Sequence, residues 1–321
     1  MSSSAIAFVF PGQGSQAPGM LVDLAERHPS VIESFAEASA GAGVDLWAIA
    51  SAADDVRLNQ TEFTQPVLLA ASVALFRLWR AQGGCLPARL AGHSLGEYSA
   101  LVAADALSLS DAAALVRERG RLMQAAVPAG SGAMAAVLGA DDAVLEDVCA
   151  AVSSARVVVP ANYNSPGQIV IGGHAEAVDA AIAALAERGV RKAVKLAVSV
   201  PSHTPLMREA ADALAARIAA TPLRLPSLPL VHNVDAGIAT DLDALKAALV
   251  RQLYLPVRWT DCVQQMIAAG ASRFVECGPG KVLGGLIKRI DRSVESKSLG
   301  SVVDFEDALN GWGGNLSKES N

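Results

Sequence analysis

Gly92-His93-Ser94-Leu95-Gly96 fits the GxSxG pattern, in which a sharp strand-to-helix turn presents a serine hydroxyl at the C-terminal end of a sheet. Alone the pattern is weak, because a glycine-rich turn whose serine caps a helix has the same residues. Its context is better: a short strand-like run, Pro87 to His93, precedes it and helical sequence follows. A serine nucleophile needs a base, and the histidines are His28, His93, His174, His203 and His232. His28 closes a helical stretch beside Pro29, His174 opens a helix, His232 sits on a strand-like run, and His93 points to the other side of the turn. His203, in Val200-Pro201-Ser202-His203, stands at a helix start from which it could reach Ser94; the competing reading is an ordinary helix-terminal histidine. No Asp or Glu presents itself as the group that would orient the base.

Arg119 is more informative. On a helix expected from Ser110 to Ala126, residues Ala112, Leu115, Val116, Leu122, Met123 and Ala126 form an apolar stripe of period 3.6, and Arg119 falls in its middle, with Arg117 and Arg121 off it. An inward guanidinium stays charged, so either an internal carboxylate pairs it or it receives a carboxylate that arrives with a substrate. The loop Pro11-Gly12-Gln13-Gly14-Ser15-Gln16 lacks the spacing and lysine of a P-loop and the third glycine of a dinucleotide fingerprint. Its use is as a source of a backbone N–H: that of Gln13, paired with that of Leu95, would form an oxyanion hole.

These residues need a scaffold that holds loops at strand ends. Strand Ala5 to Phe10, a helical stretch from about Met20 to Ala40, helix Gln65 to Arg80 and the strand before Ser94 read as α/β. After Pro128-Ala129-Gly130-Ser131-Gly132 the pattern becomes strand 133–139, helix 141–152, strands 156–160 and 168–172, helix 175–189 and strand 190–198. That βαββαβ order is ferredoxin-like and predicts an insertion over 128–199 in a larger α/β subdomain, 1–127 and 200–310. The α/β pattern resumes with helix 202–220, strand 229–233, helices from Asp241 and Thr260, and strand 273–276 ending at Gly278-Pro279-Gly280-Lys281; a polar tail spans 311–321.

Composition narrows the function classes. Among 321 residues, 26 Lys and Arg against 32 Asp and Glu leave a formal net charge of −6, which argues against nucleic acid as a partner. Seven Phe, four Trp and three Tyr leave an aliphatic core and few stacking platforms. The longest uncharged runs are broken by Gly, Pro, Gln and Ser, and the N-terminus has no basic leader, so neither a membrane span nor a secretory signal is expected. Cys85, Cys149, Cys262 and Cys277 lack CxxC spacing and read as reduced cytoplasmic thiols filling the core, with no metal site.

Taken together, Phe10-Pro11-Gly12-Gln13-Gly14-Ser15-Gln16, Gly92 to Tyr98, Arg119-Gly120, Asn162-Tyr163-Asn164-Ser165-Pro166-Gly167-Gln168, Pro201-Ser202-His203 and Gly278 to Lys281 resemble the malonyl-CoA:acyl carrier protein transacylases of type II fatty acid synthesis, in order along almost the whole chain. The resemblance implies an α/β-hydrolase-like large subdomain with a ferredoxin-like insertion. Ser94 would be the acylated nucleophile, His203 its base, and the N–H groups of Gln13 and Leu95 the oxyanion hole. Arg119 would hold the malonyl carboxylate, with Met123, Ser202, Asn162 and Asn164 as further substrate contacts. Gln252 matches the residue whose main-chain carbonyl orients the histidine, which would explain the missing acid. The implied reaction is ping-pong, with malonyl-CoA as substrate, holo acyl carrier protein as acceptor and no bound cofactor. Carrier proteins are usually acidic, so Arg191, Lys192 and Lys195, and Lys288 and Arg289, are candidate docking clusters, or else ordinary solvated faces. A cytoplasmic monomer is expected. A serine thioesterase, or a transacylase serving malonate decarboxylase or polyketide synthesis, shares the elbow and the base.

Overall fold

A computed structural model describes residues 5–198 and 200–313. The strands are β1 (Ala5–Phe10), β2 (Arg89–Gly92), β3 (Gly132–Leu138), β4 (Val158–Ser165), β5 (Gln168–His174), β6 (Lys192–Lys195), β7 (Leu230–Val231), β8 (Ala271–Glu276) and β9 (Glu295–Ser298). The helices up to the elbow and the arginine are α1 (Val22–Arg27), α2 (Ser30–Ala42), α3 (Leu46–Ser51), α4 (Thr61–Ala81), α5 (Gly96–Ala103) and α6 (Leu109–Ala125). Then follow α7 (Asp142–Val152), α8 (Ala175–Glu187), α9 (Arg208–Ala220), α10 (Leu242–Gln252), α11 (Trp259–Ala268), α12 (Val282–Ile290) and α13 (Val302–Trp312). The chain is a mixed α/β protein with one parallel and one antiparallel sheet, in two compact units.

One unit comprises Met1–Arg117, Pro222–Val231 and Gln265–Asn321. Its five-stranded sheet has the order β7-β2-β1-β8-β9, every pair parallel. A parallel sheet is covered on both faces, which is why β1 is a continuous apolar run, Ala-Ile-Ala-Phe-Val-Phe, without alternation. Phe8 of β1 meets Phe76 and Trp79 of α4 edge to face, with centroids 5.8 and 5.5 Å apart. Because the strands are parallel, the loops leaving β1, β2 and β8 emerge at the same edge. The sequence steps from β1 to β2 on one side and later to β8 on the other, so that edge carries the switch in strand order where open α/β sheets bind ligands.

The other unit comprises Glu118–Thr221 and His232–Gln264, a wider stretch than 128–199. Its strands and helices run β3, α7, β4, β5, α8, β6, and the antiparallel sheet has the order β4-β5-β3-β6. Alternation sorts β3 cleanly: Ala133, Ala135 and Val137 face Leu145, Val148, Val178 and Leu185 of α7 and α8, while Met134 packs with Ala161 and Val170 on the opposite face.

Several elements differ from the sequence-based reading, each for a local reason. The expected helix 20–40 breaks into α1 and α2 at Pro29, because proline cannot continue a helix begun before it. Helix α6 starts one residue early, at Leu109; Ser108, not Ser110, supplies the hydroxyl that accepts from the Asp111 N–H at 3.1 Å. Strand β4 spans Val158–Ser165 rather than 156–160, so Asn162-Tyr163-Asn164 lies in the sheet, where Tyr163 N–H donates to the Val257 carbonyl. Helix α9 begins at Arg208, after a short 3-10 turn at Pro205–Met207, so His203 is not at an α-helix start. His232 lies just beyond β7, a strand of only two residues. Gly311 and Trp312, read as the start of a polar tail, close α13, and Trp312 is buried; 314–321 lie outside the described residues.

Candidate active site

The elbow is built by steric exclusion. Ser94 sits in the left-handed region, φ 51°, a conformation costing a non-glycine residue about 1–3 kcal/mol unless its surroundings impose it. The surroundings do: His93 N–H donates to the Phe10 carbonyl at 2.9 Å, and Gly96 N–H to the His93 carbonyl at 2.9 Å, tying the turn to β1 and opening α5. A Cβ at Gly92 would overlap the Gly96 carbonyl, and one at Gly96 would overlap the Phe10 carbonyl. Both glycines of GxSxG are therefore required by close backbone approach. Helix α5 is buried along its whole length, and its N-terminal end holds the Leu95 N–H. The first N–H groups of a helix have no partner within it and carry positive partial charge, so this end suits a developing oxyanion.

The Gln13 loop leaves β1 beside this turn. A Cβ at Gly12 would stand 2.6 Å from the His93 carbonyl oxygen, so the loop and the elbow are in backbone contact. Ser15 N–H and hydroxyl both donate to the Gly12 carbonyl, at 3.4 and 2.8 Å, closing the loop on itself. Ser94, Leu95 and Gln13 thus belong to one unit and one strand edge.

His203, Arg119 and Gln252 belong to the other unit, and all three are buried. His203 Nδ1 lies 2.7 Å from the main-chain oxygen of Gln252, the last residue of α10. A carbonyl can only accept, so Nδ1 carries a proton, and whenever the ring is neutral its lone pair lies on Nε2, the arrangement a general base needs. This partner is a neutral peptide oxygen. His203 N–H in turn donates to the Leu253 carbonyl at 2.9 Å, holding a backbone with φ 63°. The side chain of the same Gln252 accepts from Arg119 Nη2 at 2.8 Å. The 3.6-residue stripe had located Arg119; the amide that holds it was not foreseen, because the two residues are 133 positions apart.

The remaining expected contacts also fall in this unit: Met123 is buried on α6, Asn162 and Asn164 are buried on β4, and Ser202 is half-buried beside His203. Of the basic clusters, Arg191, Lys192 and Lys195 are exposed around β6, with Lys195 Nζ 2.8 Å from Asp179. Lys288 and Arg289 are exposed in the last turn of α12, where Lys288 donates to the Val294 carbonyl. Cys149, Cys262 and Cys277 are buried and Cys85 half-buried, all as free thiols. Among the described residues no group of three or more His, Cys, Asp or Glu side chains is arranged to hold a metal ion, and no helix is long and apolar enough to cross a membrane.

Residues 7–304 match the acyl transferase domain family. The chain is similar to the malonyl CoA-acyl carrier protein transacylase of Escherichia coli K12, 54% identical over 293 residues that make up 91% of this chain and 95% of that protein. The crystal structure of a malonyl-CoA:acyl carrier protein transacylase from Xanthomonas oryzae pv. oryzae superposes with a TM-score of 0.96 at 62% identity, covering 98% of this chain and 100% of that one. A malonyl-transacylase solved in complex with a type II polyketide acyl-carrier protein superposes at 0.94 with 47% identity, covering 96% and 100%. An elbow serine and a carbonyl-held histidine on a scaffold shared along nearly its full length with these enzymes place the chain in the acyl transferase domain family, among its malonyl-CoA:acyl carrier protein transacylases.

Proposed function

We propose that this protein transfers the malonyl group from malonyl-CoA to the phosphopantetheine thiol of acyl carrier protein through a malonyl-Ser94 intermediate, supplying fatty acid elongation. His203 Nε2 takes the Ser94 proton as Oγ attacks the thioester carbonyl, and the Gln13 and Leu95 N–H groups stabilise the tetrahedral oxyanion. Collapse expels the CoA thiolate, which recovers the proton from His203. In the second half the carrier thiol gives its proton to His203 and attacks the Ser94 ester, and Oγ leaves with that proton, so one thioester is exchanged for another. Arg119 holds the malonyl carboxylate by charge-assisted hydrogen bonds, with Met123, Ser202, Asn162 and Asn164 around the acyl chain.

The observation that carries this reading is the double use of Gln252. Its main-chain oxygen holds the base and its side-chain oxygen holds the cation, so proton transfer and carboxylate recognition are keyed to one buried residue. A neutral acyl substrate would have no use for that cation.

For the finer architecture we infer an α/β-hydrolase-like large subdomain, 1–127 and 200–310, with a ferredoxin-like subdomain inserted at 128–199. The βαββαβ order and the β4-β5-β3-β6 sheet support the second, and the elbow after β2 supports the first. The working form we propose is a cytoplasmic monomer without bound cofactor, acting on malonyl-CoA and the carrier protein and on neither nucleic acid nor membrane. Arg191, Lys192, Lys195, Lys288 and Arg289 supply the cations that an acidic carrier would meet.

The test is intact-protein mass spectrometry after brief mixing with malonyl-CoA, followed by addition of holo acyl carrier protein. One malonyl adduct is expected, absent in Ser94→Ala and passed on to the carrier. An adduct that decays to free malonate and never reaches the carrier would identify a thioesterase instead.

A further inference from the structure

Glu276, the last residue of β8, is a buried carboxylate that the mechanism above does not use. Its oxygens accept from the Leu283 N–H at 3.0 Å and the Gly284 N–H at 2.8 Å, with the Val282 N–H contributing as well. Those are the opening N–H groups of α12, whose N-cap, Lys281, makes no side-chain capping bond. A carboxylate at a helix N-terminus satisfies orphan donors and meets the positive end of the dipole. Burial is the larger effect and leaves the Glu276 carboxyl raised above its ordinary value, while the three N–H groups oppose that rise. A Cβ at Gly284 would press on Ser296 Oγ at 2.8 Å and be in ordinary contact with the carboxylate at 3.5 Å, so the helix start packs closely on Glu276.

The capped helix and β8 hold the turn Gly278-Pro279-Gly280-Lys281 between them, and the turn lies against the oxyanion loop. A Cβ at Gly278 would overlap the Pro11 ring, and one at Gly280 would stand 3.5 Å from the Ser15 carbonyl oxygen. Behind the turn, Cys277 N–H donates to the Val9 carbonyl at 2.8 Å, and a Cβ at Gly300 would stand 3.0 Å from the Gly278 oxygen. Pro11 and Ser15 bracket Gln13 in the sequence, and the elbow touches the same loop at Gly12. The loop is thus wedged between the elbow and the Gly278 turn.

We propose that Glu276 is a positioning residue for the reaction: by clamping the start of α12 it fixes the Gly278 turn against Pro11 and so sets where the Gln13 N–H points. This rests on the reading of Gln13 and Ser94 given above. Moving one oxyanion donor by part of an ångström weakens transition-state stabilisation while leaving substrate binding intact.

The experiment is single-turnover formation of the malonyl adduct, followed by rapid quench and intact mass, for wild type, Glu276→Gln and Ser94→Ala. Glutamine keeps the size but offers one acceptor oxygen in place of two. The expected result is a rate constant about 10- to 100-fold lower, with the malonyl-CoA concentration at half-saturation within about twofold and the adduct amplitude set by the folded fraction. A merely structural role would lower the amplitude and leave the rate constant of the folded molecules at the wild-type value, which would overturn the proposal. If Glu276→Gln does not fold, Gly278→Ala displaces Pro11 while leaving the carboxylate and its donors in place; an unchanged rate constant there overturns the proposal equally. Adduct formation by Ser94→Ala would instead remove the reading of the site. Its loss there, with wild-type kinetics in Glu276→Gln, would remove the positioning role alone.

Discussion

At the scale of single residues, the arginine and the buried thiols give the sharpest expectations. Arg119 donates from Nη2 to the side-chain oxygen of Gln252, and a guanidinium held this way is the group the proposal assigns to the malonyl carboxylate. Arg119→Ala is expected to lower kcat/KM for malonyl-CoA by about 100-fold, roughly the 3 kcal/mol of a charge-assisted pair, while acetyl-CoA turnover holds or rises; equal loss for both would refute the carboxylate role. Burial pushes the Cys149 thiol up to about 12 and that of Cys277 well above the ordinary value. Both should therefore resist a disulfide reagent at pH 8 until the protein is unfolded, with Cys85 the first to react. The sign of the linkage follows. Unfolded thiols ionise near 8.5, so the folded state holds its protons more tightly, and stability is full below that pH and falls as pH rises towards 12. Denaturant midpoints measured from pH 8 to 11 check this, and a flat profile would count against it.

At the scale of elements, the elbow is a joint between three backbones. Its glycines are where β1, the turn and α5 come too close for any side chain. Gly96→Ala should destabilise the fold by about 3 kcal/mol or more, since the clash is with backbone and no rotamer can relieve it. It should also abolish adduct formation at Ser94. A urea midpoint close to wild type would mean that the turn opens without cost and that the left-handed Ser94 is not imposed by its neighbours.

At the scale of the whole molecule, a net charge of −6 has to be reconciled with an acidic partner. Long-range repulsion is screened beyond about 10 Å at 0.1 M salt, so local clusters decide docking. Reversing Lys192 and Lys195 together, or Lys288 and Arg289 together, to glutamate should raise KM for holo carrier protein about tenfold for the pair that docks. The rate of malonyl-enzyme formation at saturating malonyl-CoA should not follow it. If neither reversal changes the carrier KM, both clusters are ordinary solvated faces.

What was legible in the sequence was whatever is encoded locally. GxSxG is a five-residue device, so Ser94 and its glycines declared themselves. Arg119 did so through a period set within one helix, and the βαββαβ order through strand and helix patterns within about seventy residues. His203 stood out among the five histidines as a candidate base, and the family resemblance added Gln252; the contact between the two spans 49 residues, which no local pattern carries. Boundaries slipped where a proline, a cap or a neighbouring strand overrode propensity, as at Pro29, Ser108 and β4. Only the tertiary structure decided that the same buried Gln252 accepts from Arg119 through its side chain as well as meeting His203 through its main chain, and that the Gly278 turn closes on Pro11. The physical reason is common to both: contacts between distant segments are fixed by how strands and helices pack, and a linear pattern records the residues that make them but not their meeting.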